Sequence, residues 1–386
     1  MRKDVVMNAS KIIHTSLIGK IFILVLVLIL MSFQSFGQAK EISSVQPPQF
    51  EIAGSKVLKI NSSITGQEYV LHIQLPQRYS DTSKTFPVVY LLDSQWDFPL
   101  ITAIYGDQYY DGFMPGTIIV GITWGGENPN YDKRRAFDLT PTNSGQPAQF
   151  GNAGNFLSFI KKEVIPFIDS KYRTNKNNRT LAGHSLGGLF TLYALFTETE
   201  LFNQYLSGSP AWSWDKASLL TYIEKFSEIK LSHPVKVYAF MGEYEGVPGF
   251  EKLAASIRDC KIKGLELETQ IVKGSGHSGT KPEGYNRGLQ QVFQRPSIKV
   301  DKKILEQYTG VYEIYPQVNI TLELEGDQLV GIAPGSPKMT VSAETEKDFY
   351  VKGAFFNLHF QKDGAGKVTG FQVEQYNAGF FAKKVK

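Results

Sequence analysis

From about residue 55 to residue 294 the chain alternates short apolar runs with longer stretches whose apolar residues recur every three or four positions. The short runs, most of them rich in Val, Ile and Tyr, predict strands over 56–60, 69–75, 86–92, 117–123, 179–182, 204–207, 235–241 and 265–272. Runs of this kind suit strands buried on both faces. The longer stretches predict helices over 156–170, 187–197, 216–227 and 249–261. Strands that alternate with helices imply a mostly parallel eight-stranded sheet covered on both sides.

The pattern changes after residues 294–302 (QRPSIKVDK), which read as a linker. Strands are predicted over 308–315, 319–325, 328–332, 338–342, 348–351, 357–361 and 368–375, separated by turn signals such as Asp363-Gly364. Closely spaced short strands suggest a small sandwich or barrel over 303–386, behind a first domain over 40–294.

Residues 1–39 follow a different order. Basic residues end at Lys20, the apolar run IFILVLVLILMSF follows from Ile21 to Phe33, and Ser35, Gly37 and Ala39 come next. The run is shorter than the ~20 residues of a spanning helix, and the order is that of a secretory signal. Cleavage after Ala39 is expected, with an uncleaved anchor as the alternative. This segment holds Arg2, Lys3, Lys11 and Lys20 against Asp4, so without it the formal charge falls from +4 to +1. No Lys/Arg-rich run marks a nucleic-acid partner. Cys260 is the only cysteine, which excludes an intrachain disulfide. Export without disulfides suits a bacterial periplasm or exterior, with no stable membrane insertion after cleavage.

The strongest chemical signal is Gly183-His184-Ser185-Leu186-Gly187-Gly188, between a predicted strand and a predicted helix. That is the setting of a nucleophile elbow, in which Ser185 projects above the sheet and the Leu186 N–H faces the developing oxyanion. A serine hydroxyl needs a neighbouring base. Of six histidines, His277 lies in the Gly-rich loop 274–279 after the last predicted sheet strand, where open α/β sheets place their ligands. The third member should be a carboxylate between them in chain order, and the loop 242–246 offers Glu245 and Glu243. Glu245, deeper in the loop, is the choice. The second oxyanion donor should come from the loop 92–96, with the Gln95 N–H expected and that of Trp96 as the alternative.

Together Tyr90-Leu-Leu-Asp93, Arg135-Ala-Phe-Asp-Leu-Thr-Pro141, Glu163-Val-Ile-Pro-Phe-Ile168, Gly183–Gly188 and Ser207-Gly-Ser-Pro-Ala-Trp212 resemble an esterase family. That family includes esterase D-like enzymes, ferric-enterobactin and bacillibactin esterases, feruloyl and acetylxylan esterases, and mycolyltransferases. The resemblance spans roughly residues 50–294. It implies an α/β-hydrolase fold and a Ser185–acid–His277 triad. In the feruloyl members the acid lies three residues after a Gly that ends the strand, which maps onto Glu245. This chain departs from many relatives in carrying Glu rather than Asp there, and Ser94 where Gly is frequent. The segment from Tyr308 onward resembles the lipocalin-like β-domain appended to some bacterial hydrolases.

The four tryptophans, Trp96, Trp124, Trp212 and Trp214, each follow a predicted sheet strand, so their indoles are expected around Ser185, where they would suit sugars or aromatic acyl groups. The long connection 125–151 is a candidate cap. Within it Arg135, with Lys133 and Arg134, is a candidate contact for an anionic substrate, or else pairs with Asp138. No cofactor or metal is expected, since the sequence carries no His- or Cys-rich cluster. The expectation is a carboxylic ester hydrolase for a small-molecule ester, of siderophore type or a feruloyl or acetyl sugar ester. An acyltransferase would use the same triad, and a non-catalytic binding protein would be recognised by loss of Ser185 or His277.

Overall fold

The computed structural model describes residues 51–376 and 379–386. The segment 1–39, read above as a signal, lies outside the described residues. The eight expected strands form one sheet: β1 (Ser55–Asn61), β2 (Glu68–Gln74), β3 (Phe86–Leu91), β4 (Ile118–Trp124), β5 (Thr174–His184), β6 (Gln204–Gly208), β7 (Val235–Gly242) and β8 (Leu265–Val272). Their order is β1-β2-β4-β3-β5-β6-β7-β8, antiparallel as far as β4 and parallel from there on.

Alternate residues of each central strand enter different cores. Val88 and Tyr90 of β3 face the core under α3 (Ala153–Phe159, a π turn at Ile160–Val164, then Ile165–Lys171) and α4 (Leu186–Thr197). Val89 and Leu91 face the core under α1 (Ser94–Tyr110) and α7 (Lys281–Val292). The first core is completed by α5 (Leu219–Phe226) and α6 (Val247–Asp259). The sheet is covered on both sides, which is why its central strands β3 and β4 read as nearly continuous apolar runs.

Helices α1, α2 (Tyr131–Asp138), α7 and α8 (Lys302–Tyr308) were not expected. In α1 the buried positions include Ser94, Asp97 and Gln108, so polar residues stand where an apolar stripe would be sought. In α7 they include Gly284 and Gly288, which let the helix approach Phe240 and Leu206 closely.

Strands β9 (Gly310–Tyr315), β10 (Val318–Glu325), β11 (Gln328–Ile332), β12 (Met339–Ala343), β13 (Asp348–Val351), β14 (Phe356–Lys362), β15 (Val368–Gln375) and β16 (Gly379–Lys384) close an antiparallel barrel. The last strand was not foreseen. Tyr308, Tyr312, Phe349, Phe360 and Phe371 fill the interior, with Tyr308 stacked 3.9 Å from Phe360. These rings make the inside of the barrel a packed core.

The barrel meets the eight-stranded sheet beside the amino-terminal ends of the parallel strands. Arg295 stacks 4.1 Å over Tyr350 and donates to Asn357 and Glu344 of the barrel. Glu374 of β15 accepts from Arg78 and Lys84, both just upstream of β3. Clefts of about 810 and 700 Å³ run along this seam, lined in part by Lys236 and Arg295. Both lie at the end of the sheet opposite the elbow. Among the described residues no helix is long and apolar enough to cross a membrane.

His359, with Nε2 at 3.9 Å, together with Lys84 and Arg78 holds the Glu374 carboxyl down to about 2 against the opposing effect of burial. A depressed carboxyl stabilises the fold above its ordinary value of 4.5, and that contribution is lost as pH falls toward 2. Glu374→Gln should therefore cost about 2 kcal/mol near neutral pH. The gap to the wild type should close below pH 4.5, as read by thermal melts across pH.

Candidate active site

Parallel pairing brings the ends of β3, β5, β6, β7 and β8 together. Leu91 pairs with Ala182, Gly183 with Ser207, Gly208 with Phe240, and Gly242 with Val272. The loops after these strands thus converge at one end of the sheet, as open α/β sheets do around their ligands.

Ser185 stands between β5 and α4 at φ 62, ψ −118. This backbone setting favours glycine. It is held by hydrogen bonds on both sides: Ser185 N donates to Gly208 O at 2.9 Å, and Ala211 N donates to Ser185 O at 3.1 Å. The turn is too tight for larger neighbours. A Cβ on Gly183 would come within 2.5 Å of Gly187 O, and one on Gly188 within 2.5 Å of Gly208 O. Leu186 opens α4, where a first-turn N–H has no intrahelical partner. Gln95 occupies the equivalent stretch of α1, and its side chain accepts from Thr123.

The loops after β7 and β8 bring Glu245 and His277 together. His277 Nδ1 lies 2.5 Å from Glu245 Oε2. The other oxygen of Glu245 accepts from Ser209 Oγ at 2.7 Å and Gly242 N at 2.8 Å. Burial works to raise the Glu245 pKa, but these bonds and His277 outweigh it and hold it below the ordinary carboxylate value. Glu243 is engaged elsewhere, accepting from Lys273 Nζ and Gly274 N, both at 2.9 Å. It buttresses the start of the His277 loop.

Ser185 and His277 lie on adjoining loops, yet no hydrogen bond joins the Ser185 hydroxyl to the His277 ring among the described residues. The His184 ring lies against that of His277, tilted by 59° with centroids 4.7 Å apart. Thr280 Oγ1 donates to His277 O at 2.8 Å and lies 3.2 Å from His184 Nε2, which bridges the His277 loop to the elbow. Burial, with the Lys281 and His277 charges, pushes the His184 pKa down to about 3, so its ring is neutral in ordinary conditions. Ser209, Thr280 and His184 were not singled out from sequence. Two of them lay inside quoted motifs, His184 in Gly183–Gly188 and Ser209 in Ser207-Gly-Ser-Pro, but neither was given a role there.

The tryptophans divide. Trp96 is 47% exposed and lies edge-on to Tyr131. Trp212 is partly buried over the start of α6, where a Cβ on Gly249 would collide with its ring at 1.8 Å. Trp214 reaches the connection 125–151, contacting Phe150 and Thr142. Trp124 corrects the expectation of a cleft-lining indole: it is 2% exposed, and its Nε1 donates to Asp138 at 2.7 Å. Every residue of β4 is buried, so its last side chain points into a core instead of the cleft. Asp138 also accepts from Tyr69 and Asn152, and so is not the partner of Arg135. Arg135 instead forms a two-pronged pair with Asp93, Nε to Oδ1 at 2.9 Å and Nη2 to Oδ2 at 2.8 Å. Its side chain is 14% exposed, which leaves little of it for a substrate.

Residues 62–248 match the model of the family described as Putative esterase. The sheet domain belongs to this esterase family. Residues 294–385 match a second model, described as Domain of unknown function (DUF3471). The ferri-bacillibactin esterase BesA of Bacillus subtilis is 28% identical over 265 residues, 62% of this chain and 90% of that protein. The siderophore triacetylfusarinine C esterase of Aspergillus fumigatus is 33% identical over 175 residues, 44% of this chain and 60% of that protein. Among solved structures, the BES protein from Bacillus cereus superposes with a TM-score of 0.60 at 27% identity, over 65% of this chain and 98% of that one.

The two loop tryptophans should behave differently on truncation. Trp212→Ala, which empties the seat over Gly246 and Gly249, should cost about 3 kcal/mol of stability. Trp96→Ala should stay within about 1 kcal/mol, as an exposed site does. Denaturant melts of both variants check this.

Proposed function

We propose that this chain hydrolyses carboxylic esters with Ser185 as nucleophile, His277 as general base and Glu245 as the residue that orients it. The observation that carries the reading is the Glu245–His277 contact at 2.5 Å beside a serine held in a strained elbow. In this scheme Ser185 Oγ attacks the ester carbon while His277 Nε2 takes its proton. The N–H groups of Leu186 and Gln95 receive the oxyanion. Collapse breaks the ester C–O bond, His277 protonates the departing alkoxide, and an acyl-serine remains. Water then repeats the sequence and releases the acid. Glu245 keeps the His277 proton on Nδ1 and stabilises the imidazolium. The missing Ser185–His277 hydrogen bond is in keeping with enzymes without substrate, where such contacts tighten only on binding.

For the substrate we favour a siderophore-type ester. The ferri-bacillibactin esterase is matched over 90% of its length and two fungal relatives are siderophore esterases by name, and the exposed Trp96 beside Tyr131 offers an aromatic face. A competition panel of siderophore trilactone, feruloyl and acetyl-sugar esters tests this, and preference for either of the latter two would overturn it. The order of charged, apolar and small residues before Lys40 supports export, which amino-terminal sequencing of the mature protein checks.

Ser185→Ala should lower kcat on a short p-nitrophenyl ester by ~10⁶ while leaving the fold intact. Glu245→Gln should cost ~10⁴, the loss expected when the histidine is left in the wrong tautomer. Glu243→Gln should cost far less. Steady-state kinetics on the three variants decide the assignment, and a reversed ranking of the two glutamates would move the acid to Glu243.

A further inference from the structure

Two buried carboxyls beside the elbow, with the two partly buried bases that face them, have no part in the hydrolytic scheme. Asp93 and Asp97 flank the first turn of α1, with Asp97 N bonded to Asp93 O at 3.2 Å, and they are 3% and 2% exposed. A carboxylate so placed requires partners. Asp93 has the two-pronged Arg135, contributed by α2 from within the connection 125–151. Asp97 has Lys281 Nζ at 2.6 Å and the Tyr285 hydroxyl at 3.0 Å, both from α7. Two acids and two bases make the cluster neutral.

The cluster reaches the turn that carries Gln95, the helix that follows Ser185 and the segment that follows His277. Asp93 sits at φ 52, the left-handed turn that sends the chain from β3 into α1 and so aims the Gln95 N–H. Its Oδ2 lies 3.2 Å from where a Cβ on Gly187 would stand, against the start of the helix that follows Ser185. Lys281 directly follows Thr280, whose hydroxyl holds His277 O. The two ion pairs therefore fix the first turn of α1 with respect to the cap connection on one side and the His277 loop on the other.

We infer that Asp93–Arg135 and Asp97–Lys281 are positioning pairs for the ester reaction, and that Arg135 acts through Asp93 without touching substrate. The inference rests on the Ser185 reading above. It follows from the sensitivity of oxyanion donors to placement: a shift of about 1 Å costs on the order of 10²-fold in rate. Without the guanidinium fork, Asp93 loses the contact that holds it in its left-handed turn, and the Gln95 N–H moves. Lysine cannot replace the fork, since an ammonium offers no planar pair of donors.

The test compares Arg135→Met, Arg135→Lys and Asp93→Asn on p-nitrophenyl acetate and on the anionic mono-p-nitrophenyl succinate. Positioning predicts that kcat falls roughly 10²-fold on both esters, with KM within about twofold and no rescue by lysine. The affinity for a phenylboronic acid, which mimics the tetrahedral state, should fall in parallel. A rise in KM confined to the anionic ester would show that Arg135 meets substrate, and would overturn the inference. So would a folded Arg135→Met with wild-type kcat. Should Arg135→Met fail to fold, Asp93→Asn, which keeps shape and removes one charge, carries the same expectation. A Ser185→Ala control separates the two readings: if it stays active, the nucleophile assignment fails. If it is dead while the Arg135 variants keep full kcat, only the positioning role fails.

Discussion

Close backbone approach at the elbow is the constraint on which the rest of the site depends. Gly183 lies over Gly187, Gly188 over Gly208, and Gly208 under the Phe240 ring, each without room for a side chain. This contact lets β5 turn into α4 within one residue and sets Ser185 N against Gly208 O. Because β6 is held so near, Ser209 in the next turn reaches Glu245, which in turn meets His277. The order of contacts runs outward from the glycines. A methyl group in the elbow would disturb residues two strands away, because interiors at this density transmit displacement instead of absorbing it.

Much of the sheet was legible because its central strands β3 and β4 are buried at every residue and so display almost nothing but apolar residues. That same property concealed the fate of Trp124, since a fully buried strand carries no alternation to say which way its last side chain points. Helix α1 was hidden by Asp97 and Gln108 in core positions and by Pro99 inside it. Helix α7 was hidden by glycines that serve there as contact residues. The residues proposed for chemistry were found because a serine elbow has a local spacing, and its base a Gly-rich loop in a fixed place in chain order. Asp93, Arg135 and Lys281 have no such spacing. They lie in three separate segments and meet only through the parallel register of β3, β5 and their neighbours, so no local pattern announces the pairing.

The two ends of the parallel sheet have been put to separate uses. At the amino-terminal end, Glu374 and Arg295 fasten a barrel whose interior is filled with aromatic rings. At the carboxyl-terminal end, the loops stay free of it, and their buried charges compensate one another. The barrel thus adds mass and a charged seam without approaching Ser185.

The left-handed turn at Ser185 has a consequence that reaches beyond one molecule. A non-glycine residue at φ 62, ψ −118 costs about 1–3 kcal/mol relative to a relaxed backbone. Glycine would adopt the same turn without that cost, so the fold itself would be better served by losing the hydroxyl. Selection for folding and selection for the hydroxyl pull on position 185 in opposite directions. A descendant released from the second would drift toward glycine under the first alone. In this chain the serine is still there.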